Sequence, residues 1–198
     1  MKKKQMLSYK ESLEILKETN ALIEGHFILS SGLHSPQYVQ CAQLLSKPAH
    51  AVKICNSLAK KIKSSFKKFD LILSPAMGGI VIGYEIGRLL GIETIFSERV
   101  NGVFKLRRDF SIKKDSKVLI VEDVITTGKS SLECSKIVTE NNANVVGYAC
   151  IINRSKGNSQ IKDKIVSQIE LDIPTYSKDN LPDSLSSITP VKPGSRNL

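Results

Sequence analysis

The chain has no tryptophan, and its few phenylalanines and tyrosines make up only 6% of 198 residues. That is too little to build the stacked aromatic platform that holds single-stranded nucleic acid. Long apolar runs are also missing. The basic start Met1-Lys2-Lys3-Lys4 leads into alternating charged and apolar residues, so neither a signal peptide nor a membrane span is expected. The four cysteines, Cys41, Cys55, Cys134 and Cys150, form no C-x-x-C pair. Their scatter argues against a zinc site or a disulfide framework and suits a reducing cytoplasm. Acidic residues are scarce as well: 19, against 29 lysines and arginines, for a formal charge of +10. Such an excess can attract nucleic acid or a heavily phosphorylated small molecule. The lysines are spread out, as in Lys60-Lys61, Lys67-Lys68 and Lys113-Lys114. The reading is therefore diffuse surface charge with attraction of an anionic substrate, and no nucleic-acid partner.

What the chain does have is concentrated between Val118 and Ser130. Val118 to Val121 reads as a buried parallel strand, and Glu122-Asp123 follow at its C-terminal end. Val124-Ile125-Thr126-Thr127-Gly128-Lys129-Ser130 then runs into a helix. In an open α/β sheet ligands bind outside the carboxyl ends of the strands. The loop offers backbone N–H groups and a helix N-terminus to a phosphate. Two carboxylates would repel that phosphate, and hydrogen bonding the hydroxyls of an attached sugar gives them a role. Gly128-Lys129-Ser130 is not the end of a P-loop, because Asp123 stands where that motif needs glycine. Gly78-Gly79 and Gly83 miss the dinucleotide spacing.

Other segments fit the same chemistry. Ser74-Pro75-Ala76-Met77-Gly78-Gly79 lies between an apolar strand and a helix, and reads either as a second anion loop or as a tight, closely packed turn. Glu98 to Asp109 is polar, carries Arg99, Lys105, Arg107 and Arg108, and reads either as a basic lid that clamps pyrophosphate or as a solvated β-hairpin. Arg154 follows the last buried strand, where it can hold a carboxylate or simply face solvent. His26 and His34 have no matching ligand spacing and read as structural or surface residues.

The elements follow from hydrophobic period. Helices are expected over residues 8–22, 48–66, 79–90 and 129–141, and strands over 70–73, 93–96, 117–121 and 145–152. A hairpin-like segment is expected from Gly25 to Cys41, and a polar tail with an apolar island at 169–173 after Arg154. The alternation predicts one α/β domain over 1–198, with a parallel sheet flanked by helices.

On these residues the chain resembles the type I phosphoribosyltransferases, and within them the orotate phosphoribosyltransferases. Val118 to Ser130 is similar to the family's phosphoribosyl diphosphate signature. Gly25-His26-Phe27-Ile28-Leu29-Ser30-Ser31-Gly32-Leu33-His34-Ser35-Pro36-Gln37-Tyr38 resembles the N-terminal hood. Ala76-Met77-Gly78-Gly79 resembles the pyrophosphate loop, Glu98-Arg99 with Leu106-Arg107-Arg108 the mobile loop, and Lys192-Pro193-Gly194-Ser195-Arg196 the C-terminal tail. The resemblance implies a hood of about 20–45 plus 165–198 over a core of about 46–160. It implies transfer of a phosphoribosyl group to orotate, giving orotidine 5′-phosphate and pyrophosphate on the route to UMP, with Mg²⁺ held mainly through substrate and with a homodimer. By resemblance, Glu122 and Asp123 hold the ribose hydroxyls, Thr126 to Ser130 wrap the 5′-phosphate, and Thr126 and Arg154 contact orotate. Arg99 reaches pyrophosphate, often in the partner's site. Three departures stand out: Ser30 where many members have lysine, no Lys-Asp-His-Gly run in the loop, and Asp109 where glycine is common. Lys105, Arg107 or Arg108 then substitutes as proton donor, with Lys105 joining Arg99, Glu122 and Asp123 in the catalytic set. The rival readings are a transferase for another base, and a sensor of phosphoribosyl diphosphate that regulates through nucleic acid.

Overall fold

The computed structural model describes residues 6–29 and 31–193. Ser30 and the Gly194-Ser195-Arg196 part of the tail motif lie outside the described residues. Six strands form the main sheet in the order β5-β4-β3-β6-β7-β8. They are β3 (Leu71–Pro75), β4 (Glu93–Val100), β5 (Val103–Leu106), β6 (Lys117–Ile125), β7 (Asn144–Asn153) and β8 (Ile165–Glu170). All neighbours are parallel except β4 and β5. The expected parallel sheet is thus present, with one antiparallel edge.

Strand alternation sorts the core into two layers. Leu119 and Val121 of β6 pack with Ile54 and Leu58 of α3 (Pro48–Ser65) and Ile82 and Ile86 of α4 (Gly78–Leu90). Val118 and Ile120 pack instead with Cys134, Ile137 and Val138 of α5 (Lys129–Glu140). Gly83 and Gly87 allow α4 to lie close on β3 and β4, since a Cβ at either would strike Ser74 or Thr94.

The first helix is shorter than its period suggests. α1 (Tyr9–Glu18) starts on a capping box in which Ser8 Oγ accepts from Glu11 N and Glu11 Oε2 accepts from Ser8 N. Asn20, with φ of 58°, turns the chain out of the helix, and residues 21–22 pass into β1 (Leu22–Ile28). β1 pairs antiparallel with β2 (His34–Val39), forming a small two-stranded hood, and α2 (Cys41–Leu45) leads back to the core. The C-terminal segment joins the hood through bridges from Tyr176 to His34 and from Val191 to Phe27. β8, however, lies inside the segment assigned to the hood from residue 165 onward, yet it is the edge strand of the main sheet. Gln168 fastens it to the N-terminal helix through a 2.8 Å bond to Ser12 Oγ.

The polar stretch after Phe96 is a hairpin and not an irregular lid. β4 runs on to Val100, and Asn101 and Gly102, both with positive φ, make a two-residue turn into β5. Phe104 is buried while Val103, Lys105 and Arg107 face solvent, which is the hairpin alternative. Arg108 and Asp109 are also left-handed, at φ of 59° and 58°, and form a second tight turn closed by Phe110 N donating to Arg107 O.

Candidate active site

A cleft of about 2060 Å³ opens between the carboxyl edge of the sheet and the hood. Met77, Gly78, Asp123, Thr126, Thr127 and Arg154 line it from the sheet side, and Ile28, Leu29, Ser31, Tyr38 and Lys192 from the hood. Both candidate anion loops and the arginine after β7 therefore converge on one space, although they are up to 78 residues apart in sequence (154 minus 76).

The two acids do not converge. Successive residues of β6 point to opposite faces of the sheet. Asp123 turns into the cleft beside the Ala76–Gly79 loop; a Cβ at Gly78 would sit 2.7 Å from Asp123 Oδ2. Burial raises the Asp123 carboxyl above its ordinary value, opposed by N–H groups of Val124 and Asp123 itself. Glu122 turns to α5, where Ser131 Oγ donates to its Oε2 at 2.5 Å. Burial, with the neighbouring Asp123 charge adding to it, pushes Glu122 from 4.5 to about 7. Of the two carboxylates expected at a bound ribose, Asp123 lines the cleft and Glu122 does not.

Glu122 makes stability depend on pH. Its folded value lies above the unfolded one, so stability is full below about pH 4.5 and is lost as pH rises through about 7. Glu122→Gln should therefore stabilise the free protein at pH 8 by roughly 2–3 kcal/mol, with the gain vanishing near pH 4.5. Urea melts at the two pH values would measure it, and an equal effect at both would contradict this account.

The phosphate loop closes on Gly128, the residue before α5, at φ of 81°. A Cβ there would lie 2.7 Å from Ile161 Cγ1 and Ser159 Oγ, so both the backbone and the space demand glycine. Thr126 and Thr127 are exposed to the cleft, and the first turn of α5 brings the N–H groups of Lys129 and Ser130 to the same edge. Val124 and Ile125 pack in the core, Ile125 being 1% exposed, so those two support the loop from below. Gly128→Ala should cost about 3 kcal/mol through left-handed strain and overpacking. A melting point within about 2 °C of wild type, less than 1 kcal/mol at this size, would count against that.

Arg154 N donates to Ile125 O at 2.8 Å, which ties the residue to the end of β6. Its Nε is buried with no hydrogen-bond partner, and burial lowers its pKa. A guanidinium removed from water without a partner is costly. This one lines the cleft. Arg154 is partly buried at the cleft wall.

The basic hairpin does not line the cleft. Arg99 pairs with Glu133 at 2.8 Å, donates to Gly102 O at 2.6 Å and lies 4.0 Å above the Phe104 ring. Arg107 and Arg108 both pair with Glu98, and Lys105 is exposed. His26 and His34 form a buried pair, Nε2 to Nδ1 at 2.6 Å, which settles them as structural and not surface residues. Sequence reading missed Tyr38, Ser31 and Lys192 as residues lining this cleft. Only the hood and tail motifs pointed toward them, and without positions in space.

Comparison with known proteins places the chain in a family. The phosphoribosyl transferase domain family matches residues 40–179. An orotate phosphoribosyltransferase of Methylorubrum populi is 49% identical over 189 residues, covering 95% of this chain and 96% of that one. One from Rhizorhabdus wittichii is 46% identical over 181 residues, covering 91% and 92%. In shape, the chain is similar to the crystal structure of an orotate phosphoribosyltransferase from Aeropyrum pernix, with a TM-score of 0.70, 21% identity, and coverage of 80% and 92%. With a family model matching residues 40–179 and relatives nearly half identical along almost their whole length, the chain belongs to the phosphoribosyl transferase family, among the orotate phosphoribosyltransferases.

Proposed function

We propose that this protein transfers the phosphoribosyl group of 5-phospho-α-D-ribose 1-diphosphate to N1 of orotate, forming orotidine 5′-phosphate and pyrophosphate for UMP synthesis. The observation that carries the choice of base is the buried, unpartnered Nε of Arg154 in the cleft. A purine or uracil has no carboxylate to meet it. Residues Thr126 to Ser130 hold the 5′-phosphate on the α5 N-terminus, Ala76 to Gly79 face the diphosphate, and Asp123 accepts from the ribose hydroxyls between them. Thr126, at the shared rim, reaches the base.

The chemistry follows from that placement. As the glycosidic C–O bond breaks, positive charge grows on the ribose ring and negative charge on the departing diphosphate. Asp123 lies beside the ring and stabilises the cation, while Arg154 holds orotate by its carboxylate so that the deprotonated N1 attacks C1 directly. No covalent enzyme intermediate is needed. The described residues hold no cluster of three or more His, Cys, Asp or Glu that would cage a metal, and Asp123 is the single carboxylate among the cleft residues. That donor set fits a Mg²⁺ ion carried chiefly by diphosphate oxygens, with Asp123 within the same cleft, and the ion supplies charge neutralisation to the leaving group. Glu122 supports the loop from behind through Ser131.

The working unit is a homodimer in the cytoplasm. Val52 of α3 and Val81 and Tyr84 of α4 are exposed, with Met77 beside them at 81% exposure, an apolar face next to the cleft that a second copy would cover. Four buried free thiols suit a reducing compartment, and no described helix is long and apolar enough to cross a membrane. Arg99 leaves Glu133 to meet the diphosphate in the partner's cleft, with Lys105 beside it as the acid. Mixing inactive Arg99→Ala with inactive Asp123→Asn protein should then restore part of the activity. No recovery after proven subunit exchange would remove the shared site.

The function itself is tested by the products. Orotate, the sugar diphosphate and Mg²⁺ should yield orotidine 5′-phosphate and pyrophosphate in equal amounts. Pyrophosphate released without a nucleotide product would point to hydrolysis instead.

A further inference from the structure

The C-terminal segment is built onto the hood with more anchoring than a trailing tail needs. His34 and Tyr176 exchange both backbone hydrogen bonds, at 2.8 and 2.9 Å. Further on, Val191 N donates to His26 O at 2.8 Å, and Ile28 N donates to Val191 O at 2.9 Å. The buried His26 ring bonds the Ile188 carbonyl through Nδ1 at 2.8 Å, so that nitrogen is the donor. Its Nε2 then accepts from His34 Nδ1. Leu185, at 3% exposure, plugs the same segment into the protein. The chain is thus fixed on both sides of its return, and Lys192 follows directly on Val191.

Because Val191 runs parallel to Phe27 and Ile28, Lys192 continues alongside Ile28 and Leu29 into the cleft, where all three are wall residues. The sheet wall opposite carries Arg154 and Asp123. Two cations on facing walls of one cleft are complementary to an anion between them. A lysine supplies a point charge on a flexible stem, suited to closing on a ligand that the rigid guanidinium has already oriented.

We infer that Lys192 is a substrate-binding residue that grips the anionic base from the hood side, opposite Arg154. This rests on the proposed transfer to orotate. It makes the C-terminal segment part of the specificity site and gives the His26–His34 anchor a purpose, since it sets where Lys192 enters the cleft.

The test is steady-state kinetics of the full chain as wild type, Lys192→Met and Lys192→Arg. Lys192→Met should raise KM for orotate roughly 10- to 100-fold, the loss of one hydrogen bond to a charged group. KM for phosphoribosyl diphosphate and the melting temperature should stay near wild type. Lys192→Arg should recover most of the loss, and the rise of orotate KM with salt should be weaker in the methionine variant. An unchanged orotate KM, or an equal rise for both substrates, overturns the inference. A wild-type protein that consumes no orotate overturns the parent reading and this one with it; active wild type with an indifferent Lys192→Met overturns this inference alone.

Discussion

Asp123→Asn is expected to lower kcat by about 100-fold or more while KM for phosphoribosyl diphosphate changes by only a few-fold. The substitution keeps the shape of the side chain, which matters here because the Gly78 position comes within 2.7 Å of the carboxylate if it carries a Cβ. Hydrogen bonding to the ribose hydroxyls survives in part through the amide oxygen. What disappears is the negative charge beside a ring that becomes cationic only as the C–O bond breaks. An interaction that strengthens in the transition state appears in kcat and hardly at all in ground-state binding. Burial already raises the Asp123 carboxyl, so the free enzyme pays to keep that charge in place. Asp123→Asn should accordingly fold at least as stably as wild type. A variant with near-normal turnover would show that Asp123 has no electrostatic part in the step.

Arg154→Ala should separate the two substrates. Removing a buried guanidinium that binds a carboxylate costs about 3 kcal/mol of orotate binding, or roughly a hundredfold in KM. KM for the sugar diphosphate should move little, because the two anion loops are untouched. The same substitution should leave the empty protein as stable as before or more so, since it removes a desolvated cation whose Nε has no partner. Loss of orotate affinity together with an unchanged or higher melting temperature is the signature of a residue kept for its ligand. If both substrates weaken equally, or the fold collapses, Arg154 serves the architecture instead.

Much of this site was legible before any coordinates, for physical reasons. β6 is a continuous apolar run because it is buried on both faces, and its loop carries small hydroxyl residues and Gly128 where backbone must approach an anion. The strand period of two could have separated Glu122 from Asp123 as well, and that signal was in the sequence unused. So was Asn101-Gly102, a dipeptide suited to a two-residue hairpin turn, in a stretch read with a lean toward a lid. β8 was harder. Its sequence IVSQIE does not alternate cleanly, and its buried Gln168 bonds Ser12, 156 residues away. The ion pairs from Arg99 to Glu133 and from Arg108 to Glu98 likewise depend on packing that no local pattern records. The wall formed by Lys192 became visible only once Val191 was found beside Phe27.

The most direct measurement follows orotate absorbance in purified protein with phosphoribosyl diphosphate and Mg²⁺, with adenine, guanine and uracil in parallel. The account predicts loss of the orotate signal only when both substrates are present, and no turnover of the three neutral bases. Turnover of another base with orotate untouched would contradict it, leaving the fold and the phosphate loops in place but removing Arg154 as the reader of a carboxylate.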